Sequence, residues 1–401
     1  VSDSVFVTGI GIISAIGNHA GEVMHSLQHQ VSGIGNITHI NTLYQQELPV
    51  GEVKATNKEL LELANPGIPG PYSRTTLLGL IAARQALKHA GIVRPLTYRA
   101  GLISATTVGG MDRSEIFFKH FLQDKRKGRL RNIVTHDCGD CTERIARILG
   151  ITGYFTTINT ACSSSANAIM YGARLIRQGY LDCVVAGGID ALTLFTLNGF
   201  NSLMILDKNP CRPFDEHRNG LNLGEGAGFL VLESGKTILG TRKTALAEIK
   251  GYGNACDAYH QTASSPEGTG AWLSMKKALD VAGMGPEDID YINAHGTGTK
   301  NNDLSEGIAI QKLFENKVPP CSSTKSYTGH TLGAAGAIEA VLCVIALQQQ
   351  WIYPNLNFKI PMTELRFAPE SVFHKDVKLK NIMSNSFGFG GNNTSLVFST
   401  C

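Results

Sequence analysis

A chain of 401 residues, 43% hydrophobic and 17% charged, is long enough for one large core or two fused ones. Its net charge of +3 is too small to point to nucleic acid as the main partner. Nine cysteines, an odd number scattered through a long chain, argue against a small disulfide-stapled secreted fold and for a reducing compartment.

The start, Val1-Ser2-Asp3-Ser4, has no basic region of the signal-peptide kind, so a cytoplasmic location is expected. The apolar run 5–16 is interrupted by Gly9 and Gly11 and reads as a strand over 4–9 followed by a turn. A helix is expected over 77–90, strands over 101–105 and 155–158, a helix over 165–177 and a strand over 183–186. A second series follows: strand 247–251, helix 270–282, strands 291–294 and 321–323, helix 336–348, and strands 382–384 and 395–398. The alternation argues for an α/β fold with largely buried sheets. The run 340–347 is too short to span a membrane, and no membrane insertion is expected. Residues 161–169 and 329–339 echo each other, each following a short β-type run and entering a helix from a turn of small residues. The echo suggests two related halves, 1–240 and 241–401, with no low-complexity linker between them.

Cys162 sits in Asn159-Thr160-Ala161-Cys162-Ser163-Ser164-Ser165, after a strand and at the start of a helix. A thiol there meets free backbone N–H groups and the positive end of the helix dipole, both of which favour thiolate. A lone cysteine is more often a structural thiol; the small neighbours of Cys162 leave room for a substrate. His295, in Asn293-Ala294-His295-Gly296-Thr297-Gly298-Thr299, and His330, in Lys325-Ser326-Tyr327-Thr328-Gly329-His330, both project from Gly-flanked turns. A neutral imidazole there can donate a hydrogen bond to a carbonyl oxygen that is becoming negative. Lys325 and Glu339 flank His330 and read either as part of that charge balance or as a structural ion pair.

The blocks 159–165, 211–228, 257–260, 293–299, 322–336 and 385–392 resemble, in order and over nearly the whole chain, the β-ketoacyl-acyl-carrier-protein synthases of class I/II. The resemblance implies a thiolase-like fold, two related halves in a five-layer α-β-α-β-α arrangement, and a homodimer. It implies a catalytic set of Cys162, His295 and His330 with a supporting Lys325. Cys162 would carry an acyl group, and malonyl-acyl-carrier protein would lose CO2 and attack it. The oxyanion would be held by the backbone N–H groups of Cys162 and Phe389, the latter a gating residue. Thr297 and Thr299 resemble residues that hold a phosphopantetheine arm, and Thr262 would line the same tunnel. Val108 matches a position that limits acyl-pocket depth, with Phe200 lining that pocket. Asn293, Glu339, Ser384 and Asn385 resemble a buried monovalent-cation site; no other cofactor or metal is implied.

The segment after Gly110 departs from the family pattern. The basic run Lys125, Arg126, Lys127, Arg129 and Arg131 reads as a solvated loop or as a docking patch for an acidic acyl carrier protein. His136, Cys138 and Cys141 follow; without a second CxxC pair, two ordinary thiols are the better reading than zinc or redox chemistry. This departure tilts the expected pathway from primary fatty-acid synthesis towards aryl-polyene or polyketide assembly. Three competing readings are weaker. A thiolase acting on CoA esters would carry a second cysteine in the C-terminal Gly-rich turn, and residues 386–393 have none. A non-catalytic chain-length-type subunit would lack the nucleophile. A papain-like protease would show local signatures that are absent.

Overall fold

A computed structural model describes residues 4–93, 99–315 and 317–401. Among these, ten strands form one hydrogen-bonded sheet, with a short two-stranded ribbon apart from it. From its middle outward, the first half of the sheet runs Val5–Ser14, Gly226–Ser234, Cys183–Asp190, Ala100–Ala105 and Tyr154–Ile158. The second half runs outward as Ala247–Cys256, Asn392–Ser399, Asn381–Phe387, Tyr291–Asn293 and Cys321–Ser322. In each half the successive pairings are antiparallel, antiparallel, parallel and parallel. Strand by strand, the halves have the same topology. They join through the pairs Phe6–Glu248 and Val7–Ala247.

Two helices, Ser164–Arg177 and Ala335–Gln349, touch each other and strands of both halves. They form the inner layer. Helices Arg74–His89 and Cys138–Leu149 cover the outer face of the first half, and Thr269–Ala282 with Lys300–Phe314 cover that of the second. This gives the five α-β-α-β-α layers of the thiolase-like fold. Ala335–Gln349 is apolar on every side because it is buried on every side. With the turn before it, the apolar helical segment reaches Leu332–Gln349, longer than the run read from sequence and long enough by composition to cross a membrane. It lies almost wholly inside the protein core instead.

The first strand corrects a sequence reading. It continues through Gly9 and Gly11 to Ser14 rather than turning. A Cβ at Gly9 would lie 2.2 Å from the carbonyl oxygen of Ala86, and one at Gly11 would lie 2.0 Å from that of Ala82. The glycines let helix Arg74–His89 sit directly on the strand. The second half repeats the device: Cβ atoms at Gly251 and Gly253 would each meet a carbonyl of helix Thr269–Ala282 at 2.1 Å.

Candidate active site

Counting the main-sheet strands of each half in chain order, Cys162 follows the third strand of the first half, Tyr154–Ile158, and His330 follows the third strand of the second half, Cys321–Ser322. Ala161 has φ +54° and Leu332 φ +50°, left-handed conformations that side chains other than glycine adopt at a cost. Each stands three residues before an inner helix, so both halves make the same sharp turn. Ser164 braces the first turn: its Oγ accepts from Thr160 N at 2.8 Å and donates to the Ala161 carbonyl at 2.5 Å.

His295 follows the second strand of the second half. Its turn is held by two buried carboxylates on helix Lys300–Phe314. Glu306 accepts from the N–H groups of His295 (2.9 Å) and Gly296 (2.8 Å). Asp303 accepts from those of Thr297 (2.9 Å) and Gly298 (3.1 Å). Sequence reasoning missed both residues. Their one signal is a pair of acids spaced three apart in a helix just after a Gly-rich turn.

Lys325 lies against His295 rather than against its sequence neighbour His330. Its Nζ donates to the His295 carbonyl at 2.5 Å, to Nδ1 of the same ring at 3.2 Å and to Glu339 Oε1 at 2.5 Å. An ammonium has no lone pair to offer, so His295 Nδ1 is the acceptor and the ring proton sits on Nε2. The ring of His330 stands edge-on to that of His295, with centroids 5.3 Å apart. Burial holds both imidazoles well below the ordinary histidine pKa, and the charge of Lys325 adds to this. Both are neutral hydrogen-bond donors at neutral pH.

The thiol corrects a second expectation. Cys162 is buried, and burial pushes its pKa up to about 11. The Phe389 N–H and the charge of Lys325 pull the other way without winning. The helix begins at Ser164, with Cys162 two residues ahead of it.

A pocket of about 430 Å³ brings Cys162, His295, His330 and Phe389 onto one wall system, with Phe200, Thr262, Thr297 and Thr299. Phe200 and Phe389 stack at 5.8 Å, 13° from parallel. Thr297 and Thr299 are hydrogen-bonded through their hydroxyls at 2.9 Å. Gly388 packs on the nucleophile turn so closely that a Cβ would lie 2.9 Å from the Thr160 carbonyl oxygen. That contact brings the Phe389 N–H to the thiol. Val108 is not on this wall. It is buried in an apolar cluster with Leu197, Leu332 and Phe200, behind the pocket lining.

Of the four residues read as a cation site, Asn293 has both side-chain polar atoms buried without a partner, and Glu339 has Oε2 in the same state. Asn385 is already engaged, accepting from Ser395 Oγ at 2.8 Å and donating to Glu306 at 3.2 Å. The orphaned oxygens are of the kind that a small cation takes, and Asn385 does not stand free to join them.

The basic run is exposed and follows helix Met111–Gln123. Arg126 and Lys127 both reach Asp124. None of the five residues lines the pocket. Cys138 and Cys141 are free thiols at the start of their helix. Burial pushes both up, Cys141 to about 12, and Thr76 donates to Cys141 Sγ. His136 pairs with Ser114 Oγ at 2.9 Å instead.

Models of the β-ketoacyl synthase N-terminal and C-terminal domains match residues 2–237 and 246–359. The chain is 36% identical over 410 residues to 3-oxoacyl-[acyl-carrier-protein] synthase 2 of Staphylococcus aureus (strain COL), covering 98% of this chain and 97% of that protein. It is 32% identical over 410 residues to nodulation protein E of Rhizobium meliloti (strain 1021), covering 98% of each. Among solved structures, the ishigamide ketosynthase/chain length factor superposes with a TM-score of 0.93 at 31% identity over the whole of both chains. The ketosynthase ApeO in complex with its chain length factor ApeC from Xenorhabdus doucetiae gives 0.84 at 32% identity, covering 100% of this chain and 98% of that one. With Cys162 and the two neutral histidines gathered in one pocket of a two-half α/β fold, this chain belongs to the β-ketoacyl synthase family.

Proposed function

We propose that the chain catalyses the decarboxylative condensation of malonyl-acyl-carrier protein with an acyl group on Cys162, giving 3-oxoacyl-acyl-carrier protein and CO2. The observation that carries this is the convergence of Cys162, His295, His330 and the Phe389 N–H on one pocket. In the first half-reaction the Cys162 sulfur attacks the carrier thioester, and the carrier leaves as a thiol. One thiol replaces another, so the step is proton-neutral overall. The amides of Cys162 and Phe389 hold the oxyanion.

In the second half-reaction malonyl thioester binds and its C–C bond to the carboxylate breaks. The electron pair becomes an enolate, whose oxygen takes hydrogen bonds from His295 and His330. Neutral imidazoles suit this task, since they donate without protonating the carbanion. Its carbon then attacks the acyl carbonyl and expels Cys162. A sulfur whose pKa is held near 11 recovers its proton at once. Lys325 fixes the tautomer of His295 and needs no direct contact with substrate. Thr297, Thr299 and Thr262 line the approach and hold the pantetheine arm, and Phe389 on Phe200 gates the acyl side.

The partner in this reading is an acyl carrier protein, docking its acidic surface on Lys125, Arg126, Lys127, Arg129 and Arg131. A homodimer is supported by exposed Ile116, Phe118 and Leu122 on helix Met111–Gln123, and by Tyr154 and Phe155 on the open edge strand, a combination that invites pairing. A monovalent cation would be held structurally by Asn293 and Glu339 through their orphaned oxygens. Specialised polyene or polyketide assembly is favoured by the basic segment at 124–141. Malonyl-carrier protein offered with a panel of acyl primers should give products two carbons longer than each accepted primer by mass spectrometry. Release of CO2 with no extended product from any primer would contradict the reading.

A further inference from the structure

The oxyanion hole of this reading is assembled from two turns that belong to different halves of the molecule. Three asparagines tie those turns together. Asn392 directly follows the turn Phe389–Gly391, which is closed by Gly388 N donating to the Asn392 carbonyl at 2.9 Å. Its side-chain Oδ1 lies 2.8 Å from Ser163 Oγ, 2.9 Å from Asn167 Nδ2 and 2.8 Å from Asn254 Nδ2. One oxygen thus takes donors from the nucleophile turn, an inner helix and a strand of the second half. Asn167 completes the link. Its Nδ2 donates to Thr160 Oγ1 at 2.8 Å, and its Oδ1 accepts from Thr394 Oγ1 at 2.8 Å and from Asn254 Nδ2 at 3.1 Å. Thr160 and Ser163 stand on either side of Ala161 and Cys162, so the network grips both ends of the nucleophile turn.

We propose that Asn392, held by Asn167 and Asn254, is a positioning residue that sets the distance between the Cys162 and Phe389 amides; this rests on the catalytic reading above. Oxyanion stabilisation depends on two donors being fixed at hydrogen-bond distance from an oxygen that becomes charged only during reaction. Without the tie, the relative placement of the two amides rests on packing, that of Gly388 against the nucleophile turn and that of Phe389 on Phe200. The enolate oxygen of the second substrate is served by other groups. His295 and His330 are set by Glu306, Lys325 and the Asn222 carbonyl, and none of the three asparagines touches them. The network should therefore act on acyl transfer and leave decarboxylation nearly alone. A network that merely glued the halves together would affect both equally.

Asn392→Leu keeps the volume and removes the shared acceptor. Self-acylation from an acyl-pantetheine thioester, followed by intact mass, should slow about 10- to 100-fold, the effect of misplacing a reacting group by a fraction of an ångström to 1 Å. Decarboxylation of malonyl-carrier protein by the same variant should stay within about twofold, because its oxyanion donors are untouched. Wild-type self-acylation in Asn392→Leu overturns the proposal. So does a parallel loss of both activities, which marks a structural role. Should this variant fail to fold, Asn254→Leu, at a half-buried position, removes two of the same bonds and is judged by the same pair of rates. Cys162→Ala run alongside separates the two levels: an acyl adduct persisting there removes the catalytic reading itself, whereas its loss there with full acylation of Asn392→Leu removes only the tie.

Discussion

In the first half the loop after the third strand carries Cys162, and in the second half the same loop carries His330. Both loops pass through a left-handed residue three positions before an inner helix. Ser165 on one inner helix accepts from Ala337 N on the other at 2.8 Å. The loops after the second strands form another matched pair, with Val108 in the first half and His295 in the second. The frame is therefore duplicated while the chemistry is divided. In the proposed reaction one half presents the nucleophile and apolar packing, and the other presents the polar hydrogen-bond donors. Burial acts on both sides and yields neutral groups each time: a thiol raised to about 11 and imidazoles held below their ordinary range.

The sharpest way to break this comparison is to remove the group unique to the first half. Cys162→Ala should abolish condensation and leave the fold intact. Intact mass after incubation with acyl-carrier protein should show one adduct on the wild type and none on the variant; an adduct mapped to another thiol in the variant would displace Cys162 from its role. The next effect is in pH. A folded-state pKa near 11 means that the reactive thiolate fraction grows about tenfold per pH unit through the accessible range. Alkylation of Cys162 by iodoacetamide should thus rise steadily from pH 7 to 9 with no plateau. A rate already flat at pH 7 would show a resting thiolate and a pKa well below that range.

Val108 tests the other matched pair. It is stiff at χ1 and buried in the apolar cluster against which Phe200 packs. Val108→Phe should push on the pocket wall at about 1–3 kcal/mol, roughly tenfold or more in kcat/KM for long primers, with acetyl and butyryl primers nearly unaffected. A uniform fall at every primer length would make Val108 a core residue without influence on the acyl pocket. The smallest effect lies on the surface of the first half, away from the pocket. Reversing Lys125, Arg126 and Arg129 to Glu should raise KM for carrier-bound substrate several-fold with little change in kcat, since surface charge acts mainly on association rate. Reaction with a small pantetheine thioester should not change. Equal kinetics with the carrier substrate would make the run a solvated loop.

The duplication was only partly legible in the sequence. The small-residue turns at Ala161 and Leu332 stood out because they enter helices from short strands. The Gly9 and Gly11 pair was misread as a turn, because a glycine in a strand signals either a break or a close approach, and only the helix lying on it decides between them. The strand Gly226–Ser234 was missed because its first residues belong to a Gly-rich block. Helix Lys300–Phe314 escaped because its inward face carries Asp303 and Glu306 where apolar residues would mark the period. Those acids satisfy the amides of the His295 turn, so function broke the pattern that would have revealed the helix. That Cys162, His295, His330 and Lys325 belong to one site is an expectation from their turns and the family's motifs, and the fold brings them together. That Lys325 serves His295 was not legible in the sequence, since only the folded chain brings those two together. The asparagine tie was invisible for the same reason, its bonds spanning up to 229 positions.

The division of labour between the halves is tested most directly by His330→Ala, followed in two ways on the same sample. One is CO2 release from malonyl-carrier protein, and the other is the acyl adduct on Cys162 by intact mass. Loss of an oxyanion donor should slow decarboxylation about 10²–10³-fold while the acyl adduct still forms at close to the wild-type rate. Decarboxylation at the wild-type rate, or acylation lost in equal measure, would contradict the account.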